Sequence, residues 1–204
     1  MGIAVDSAGD IRIADYDTHQ VLNFTNSGTL IFQTGSIGQG PGQFSHPTGV
    51  AVDAQGHTLV ADAGSSRVQI LDPNLNLITA FGNSTLYDGW NNNLLGLYTS
   101  ADGHIYVVDS LEDDLSGRLS IFDSTGKLTF RRRFADSVGL SQSVQGLQKT
   151  SVAVASDGSI FVYVPGVPNI EECPVMYKFD SQLNELLGAD ADCSRGGGAL
   201  DGDF

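Results

Sequence analysis

Apolar residues in this chain arrive in short runs of four to seven, each broken by a polar turn, and none is long enough to make a helix. The runs pair off. Ile3–Asp6 and Ile11–Ala14 flank a turn ending at Gly9, and the same phrase returns as Val50–Asp53 and Thr58–Ala61 around Gly56. It returns twice more around Gly103 and Gly158, so the turn glycines stand 47, 47 and 55 residues apart. A second pair of runs follows the first: Val21–Phe24 with Thr29–Gln33, then Val68–Leu71 with Leu75–Phe81. The third unit supplies Ile105–Val108 and Leu119–Phe122, and the fourth Ile160–Val164, Met176–Phe179 and Leu183–Leu187. Val, Ile, Phe and Tyr dominate these runs, as strands require. Four short strands in a period of this length are the signature of a propeller blade, a unit that buries its faces only against its neighbours. The pattern predicts an all-β chain, a β-propeller of four-stranded antiparallel blades. About four blades are present, over residues 2–35, 36–82, 83–134 and 135–190.

Between the first two units runs Gly38-Gln-Gly40-Pro-Gly42-Gln-Phe44-Ser-His-Pro47-Thr-Gly49. Unit 2 continues with Val50-Ala-Val-Asp53, Leu59-Val-Ala-Asp62, Arg67-Val-Gln-Ile-Leu-Asp72 and Phe81-Gly82. In this order of Gly-rich lead-in, Pro-x-Gly, paired strands, Ala-Asp and Arg-Val, the chain resembles the NHL repeat family. Unit 1 keeps Ile13-Ala-Asp15 and His19-Gln-Val21, while units 3 and 4 are looser. NHL propellers usually close with six blades, so the resemblance implies that these four belong to a longer ring. Residues 191–204 read as the start of a further blade, because Gly202-Asp-Phe204 repeats Gly42-Gln-Phe44.

The formal net charge is −14, and of 24 acids only Glu112, Glu171, Glu172 and Glu185 are not Asp. Part of that bias belongs to turns, where Asp bonds nearby backbone N–H groups. The surface nevertheless repels phosphate backbones, and beyond Arg131-Arg132-Arg133 there is no basic stripe, so nucleic acid is not expected as a partner. No apolar stretch is long enough to span a membrane, and no signal peptide is visible at the N-terminus. Cys173 and Cys193 both fall in unit 4, as a disulfide of an oxidising compartment or as two ordinary thiols. The sequons at Asn23 and Asn83 permit glycosylation, although Asn23 sits inside a strand.

Propeller geometry puts the turns between strands one and two, and three and four, on one face. The connections from strand two to three and between blades share the other. Those connections lengthen along the chain: Ala63–Ser66 in unit 2, Ser110–Gly117 in unit 3, Pro165–Pro174 in unit 4. Insertions in repeat proteins collect on the binding face. That face carries Asp15, Asp17, Asp62, Asp109, Glu112, Asp113, Asp114, Glu171 and Glu172. A basic peptide surface suits it. Ca²⁺ is a weaker alternative, with hard oxygens from Asp15-Tyr-Asp17 or Glu112-Asp-Asp114 in no known loop spacing. At the channel mouth, one residue precedes each innermost strand: His46, Asn93 and Gln148. With Asp62, Asp109 and Arg67 they make the candidate ligand-binding set. Peptide-amidating lyases, similar to NHL propellers, gather several imidazoles on zinc, but His57 and His104 fall on the opposite face, so three imidazoles cannot be brought to one metal here.

No phosphate cradle, nucleophile elbow or structural zinc spacing occurs. The sequence therefore predicts a non-catalytic platform for protein, peptide or carbohydrate recognition, with no cofactor, within a larger extracellular or cell-surface protein. The alternative is a metal-dependent propeller enzyme of lyase or lactonase type, part of whose site lies in other blades.

Overall fold

The computed structural model describes residues 2–82, 94–110, 117–134, 151–164 and 175–190. These form four sheets, each of four antiparallel strands in chain order. Blade 1 contains β1 (Gly2–Val5), β2 (Ile11–Asp15), β3 (Gln20–Phe24) and β4 (Leu30–Thr34). Blade 2 contains β5 (Pro47–Val52), β6 (Thr58–Asp62), β7 (Arg67–Leu71) and β8 (Leu77–Phe81). Blade 3 contains β9 (Leu94–Thr99), β10 (Ile105–Ser110), β11 (Gly117–Phe122) and β12 (Leu128–Phe134). Blade 4 contains β13 (Ser151–Val154), β14 (Ile160–Val164), β15 (Val175–Phe179) and β16 (Glu185–Asp190). The innermost strands stand side by side, β5 next to both β1 and β9, and β13 next to β9, which is the propeller arrangement the periodicity predicts.

Strand alternation gives each blade two apolar faces, one toward each neighbour. The forward face of blade 2 (Ala51, Leu59, Ala61, Val68, Ile70) meets Leu94, Ile105, Val107 and Phe122 of blade 3. The forward face of blade 3 (Tyr106, Val108, Leu119, Ile121) meets Val152, Ile160, Val162 and Phe179 of blade 4. Blade 1 meets blade 2 through Val21 against Val60 and Leu71, with Phe44 from the connecting loop inserted among them. Each fully buried aliphatic side chain stabilises such a seam by about 1.5–3 kcal/mol. Hydrogen bonds also cross the seams: the Thr48 hydroxyl donates to the Leu94 carbonyl at 2.8 Å, and that of Thr99 to the Val52 carbonyl at 2.9 Å. At the innermost strands the backbones nearly touch, because a Cβ on Gly2 would lie 2.8 Å from the Gly49 Cα.

Several strand bounds differ from the sequence reading, β5 starting at Pro47 where Val50 was expected, and at two of them the cause is a turn. Leu75 and Leu183 head the apolar runs that were expected to begin β8 and β16, but both sit in the preceding turn at φ 64° and 69°. They occupy the left-handed position that Gly28 and Gly126 fill in blades 1 and 3. Each donates its backbone N–H to the turn's first residue, Asp72 or Asp180, while its side chain packs on a seam cluster. Burial of the leucyl group offsets the left-handed strain, of about 1–2 kcal/mol.

Candidate functional site

The face bearing the strand two-to-three and inter-blade connections is organised by one clamp. The β6–β7 connection is a single 3₁₀ turn, Ala63–Ser65, that brings Arg67 back beside Asp62. Arg67 Nε donates to Asp62 Oδ2 at 3.0 Å, while its terminal nitrogens donate to the carbonyls of Gln39, Gly40 and Gln43 at 2.8–3.0 Å. Asp62 Oδ1 accepts the Ser45 N–H at 2.6 Å. Gln69, buried behind them, donates to the Gln43 carbonyl and accepts from the Gly42 N–H. The Gly-rich segment ahead of blade 2 is thus held by a guanidinium, a carboxylate and an amide, together with the packing of Phe44 in the seam.

The clamp delivers His46. Its backbone is left-handed at φ 54°, as is that of His19 at φ 58° in the β2–β3 connection of blade 1. The His46 N–H donates to His19 Nδ1 at 3.1 Å, which fixes Nδ1 of that ring as an acceptor. The two imidazoles meet edge to face with centroids 4.7 Å apart, and Tyr16 tilts against His46 at the same separation. Tyr16 is 43% exposed, so the cluster opens to solvent at the seam of blades 1 and 2. Beside it, Asp15 Oδ1 accepts the N–H groups of Asp17 and Thr18, and those bonds, Thr18 first, hold its carboxyl below the usual range. Asp15 is therefore an anion near neutral pH, next to the aromatic cluster.

Two left-handed non-glycine residues in contact mark a place where surrounding structure holds the backbone against its preference, a common property of ligand sites. Chemically the cluster offers an aromatic surface, imidazole nitrogens and adjacent carboxylates. The contact of Ser45 Oγ with His46 Nδ1 is 3.5 Å, too long for an activated nucleophile. Among the described residues, no three His, Cys, Asp or Glu side chains are grouped to hold a metal.

Of the residues singled out from sequence, the structure brings His46 into this cluster and puts Asp62 and Arg67 in the clamp behind it. Asp62 is fully buried, with its oxygens taken by Arg67 and Ser45. Asp109 is likewise buried, gripped on both oxygens by Arg118. Burial pushes the Asp109 carboxyl up, and the Arg118 guanidinium opposes that rise. Asn93, Gln148, Glu112, Asp113, Asp114, Glu171, Glu172 and both cysteines lie outside the described residues. Asn23 is buried and accepts from the Arg12 guanidinium, so its amide is not open to glycosylation in the folded chain. His57 and His104 lie on the opposite face in the β5–β6 and β9–β10 turns, paired with Asp53 and Asp102. Sequence reasoning missed Tyr16 and His19. The available signal was their place on the same face as His46, one blade earlier.

Comparison with known proteins agrees with this architecture. Residues 44–71, which run from the clamped loop through β7, match the NHL repeat. The chain is a β-propeller with an NHL repeat in its second blade. Sequence comparison with curated proteins gives no match. Among solved structures, this chain is similar to virginiamycin B lyase from Staphylococcus aureus with a TM-score of 0.64 at 11% identity, covering 94% of this chain and 55% of that one. A protein of unknown function from Bacteroides caccae aligns with a TM-score of 0.61 at 12% identity, covering 93% and 60%. The extracellular domain of a protein described as a hybrid two component system from B. thetaiotaomicron aligns with a TM-score of 0.58 at 12% identity, covering 93% and 22%. At these identities the likeness is one of fold. This chain spans little more than half the length of the first two. No described helix is long and apolar enough to cross a membrane.

Proposed function

We propose that this chain is a recognition platform whose ligand is a basic segment of a protein or peptide, bound at the Tyr16–His19–His46 cluster. The observation that carries the reading is the cluster's construction: two left-handed histidines and an exposed tyrosine, beside an ionised Asp15. A cation is attracted to an aromatic face and to carboxylates alike, and the net charge of −14 draws basic ligands toward the chain. Asp62 and Asp109 take no part in contact, since both are buried in ion pairs with Arg67 and Arg118. We place the protein at the cell exterior, a reading supported by the extracellular domains among the structures that share its fold.

The test is fluorescence anisotropy with a library of labelled Arg- and Lys-rich peptides. Saturable binding should weaken by roughly tenfold or more in Tyr16→Ala and in His46→Asn, as expected for anchor residues, with an unchanged melting temperature. Asn tolerates the left-handed backbone that His46 adopts. Binding that ignores both substitutions would move the ligand elsewhere on the molecule. Turnover of a small substrate that is lost in His46→Asn would favour an enzyme instead.

A further inference from the structure

The hydrogen bond that closes the aromatic cluster requires one protonation state of one side chain. The His46 N–H donates to His19 Nδ1 at 3.1 Å, so that nitrogen keeps its lone pair and the ring's proton sits on Nε2. An imidazolium carries hydrogen on both nitrogens and accepts nothing. A proton added to His19 therefore sets one N–H against another and ends the bond. The backbone on both sides then has reason to move. His19 and His46 stand at φ 58° and 54°, a conformation that non-glycine residues hold only where their surroundings impose it. The other bonds of the lead-in use no imidazole, because Arg67 and Asp62 hold Gln39, Gly40, Gln43 and Ser45. Loss of the His19 bond is thus confined to His46 and the rings it touches.

We propose that the Tyr16–His19–His46 cluster is a pH-gated site, which holds its basic ligand near neutral pH and releases it on mild acidification. The identity of the ligand rests on the platform reading above; the gate itself does not. Histidine is the side chain that ordinarily changes charge between about pH 5 and 8. The direction follows from the bond. The closed cluster needs a neutral His19, so it is intact toward alkaline pH and lost as pH falls through the titration of that ring. Among the described residues, the other charged and titratable groups around the pair are Asp15, Tyr16 and Asp17 on the β2–β3 connection, the His46 ring, and Asp62 with Arg67 behind it. Asp62 and Arg67 are paired with each other. Asp15 is held as an anion by the N–H of Thr18 first, and a protonated ring beside it cancels the charge that draws a basic ligand. Loss of the bond, a cationic imidazole and a neutralised carboxylate all act in one direction. Linkage makes the effect reciprocal, so a bound basic ligand hinders protonation of the cluster.

Hydrogen exchange followed by NMR tests the gate without a ligand. Protection of the His46 amide, corrected for the intrinsic pH dependence of exchange, should fall by about tenfold or more between about pH 7.5 and 5.5. Its midpoint should be that of the His19 imidazole. In His19→Asn the side chain suits a left-handed backbone and does not titrate, so protection should stay level over the same range. Level protection in the wild-type chain overturns the proposal, and so does an equal fall in His19→Asn. Should that variant fail to fold, the wild-type measurement decides alone. Release is read by fluorescence anisotropy with a labelled hexa-arginine peptide, capped at both ends so that its charge stays constant. At fixed ionic strength its affinity for the wild-type chain should drop by about tenfold or more over that range. The ratio of affinities for His19→Asn, whatever their absolute size, should stay near one. A wild-type ratio near one overturns the gate and leaves the platform standing. A peptide that ignores the cluster altogether removes the platform reading instead, and protection of the His46 amide still decides the gate.

Discussion

At the scale of single residues, the most consequential charge is Arg67, which lies in no seam yet decides where His46 stands. It satisfies a fully buried carboxylate and three carbonyls of a Gly-rich loop whose polar backbone is otherwise anchored only by a few neighbouring groups and by Phe44 in the seam. Arg67→Ala leaves Asp62 buried and without its cation, and removing one partner of such a pair costs about 3–5 kcal/mol. Thermal or urea unfolding should show that loss. Restoring neutrality with Asp62→Asn in the same chain should recover part of it. The sequence marked Arg67, Asp62 and Asp109 as ligand-binding candidates, and the structure puts them in ion pairs that hold loops and strand ends. What it could not show was direction, since a carboxylate at a strand end reads the same whether it faces solvent or a guanidinium five or nine positions later. Tyr16 and His19 escaped for a related reason: their meeting with His46 depends on two left-handed residues, a conformation that histidine does not advertise.

At the scale of the element, alternation and turn glycines made most of the described strands legible, because each blade repeats the same local solution; the outer strand of blade 3, β12, was not read. Two of the misplaced bounds fell where a hydrophobic residue does a glycine's work. Leu75 and Leu183 look like strand starts because they are apolar, yet each closes a turn and sends its side chain into a seam. The turns also touch neighbouring blades, which gives a controlled comparison. Gly9 and Gly126 share φ 85°, so alanine strains both backbones alike, by about 1–2 kcal/mol. A Cβ on Gly9 would meet only the Asn26 side chain, 3.4 Å away at its nearest, whereas on Gly126 it would lie 2.5 Å from the Phe81 ring of blade 2. Gly126→Ala should therefore be the more destabilising by about 1–3 kcal/mol, the usual cost of overpacking. Equal melting temperatures for the two variants would show that the Phe81 contact carries no weight.

At the scale of the whole molecule, the Asp-rich composition becomes a pH response. Asp72 and Asp123 each accept backbone N–H groups two and four residues on, and Asp180 does the same in blade 4. Bonds from Asn76, Thr125 and Asn184 respectively are foremost in lowering these carboxyls, and Ser159 does the same for Asp157 and Ser100 for Asp102. A group lowered in the folded state contributes stability above its unfolded value, near 3.9, and loses it as pH falls through the folded value. Asp109, raised by burial, runs the other way. Since the lowered groups outnumber it, denaturation midpoints should hold level at neutral pH and fall steeply below about pH 4. Asp123→Asn should make that fall shallower.

The Tyr16–His19–His46 cluster has one further consequence. Its parts belong to different blades: Tyr16 and His19 ride on blade 1, while His46 is fastened to blade 2 by the Arg67 clamp. The cluster therefore works as a gauge of the joint it straddles. Any slippage between the two blades pulls the imidazoles apart before it disturbs either sheet. A ligand gripping all three rings must in turn tighten that joint, so affinity and the mechanical strength of the seam rise and fall together.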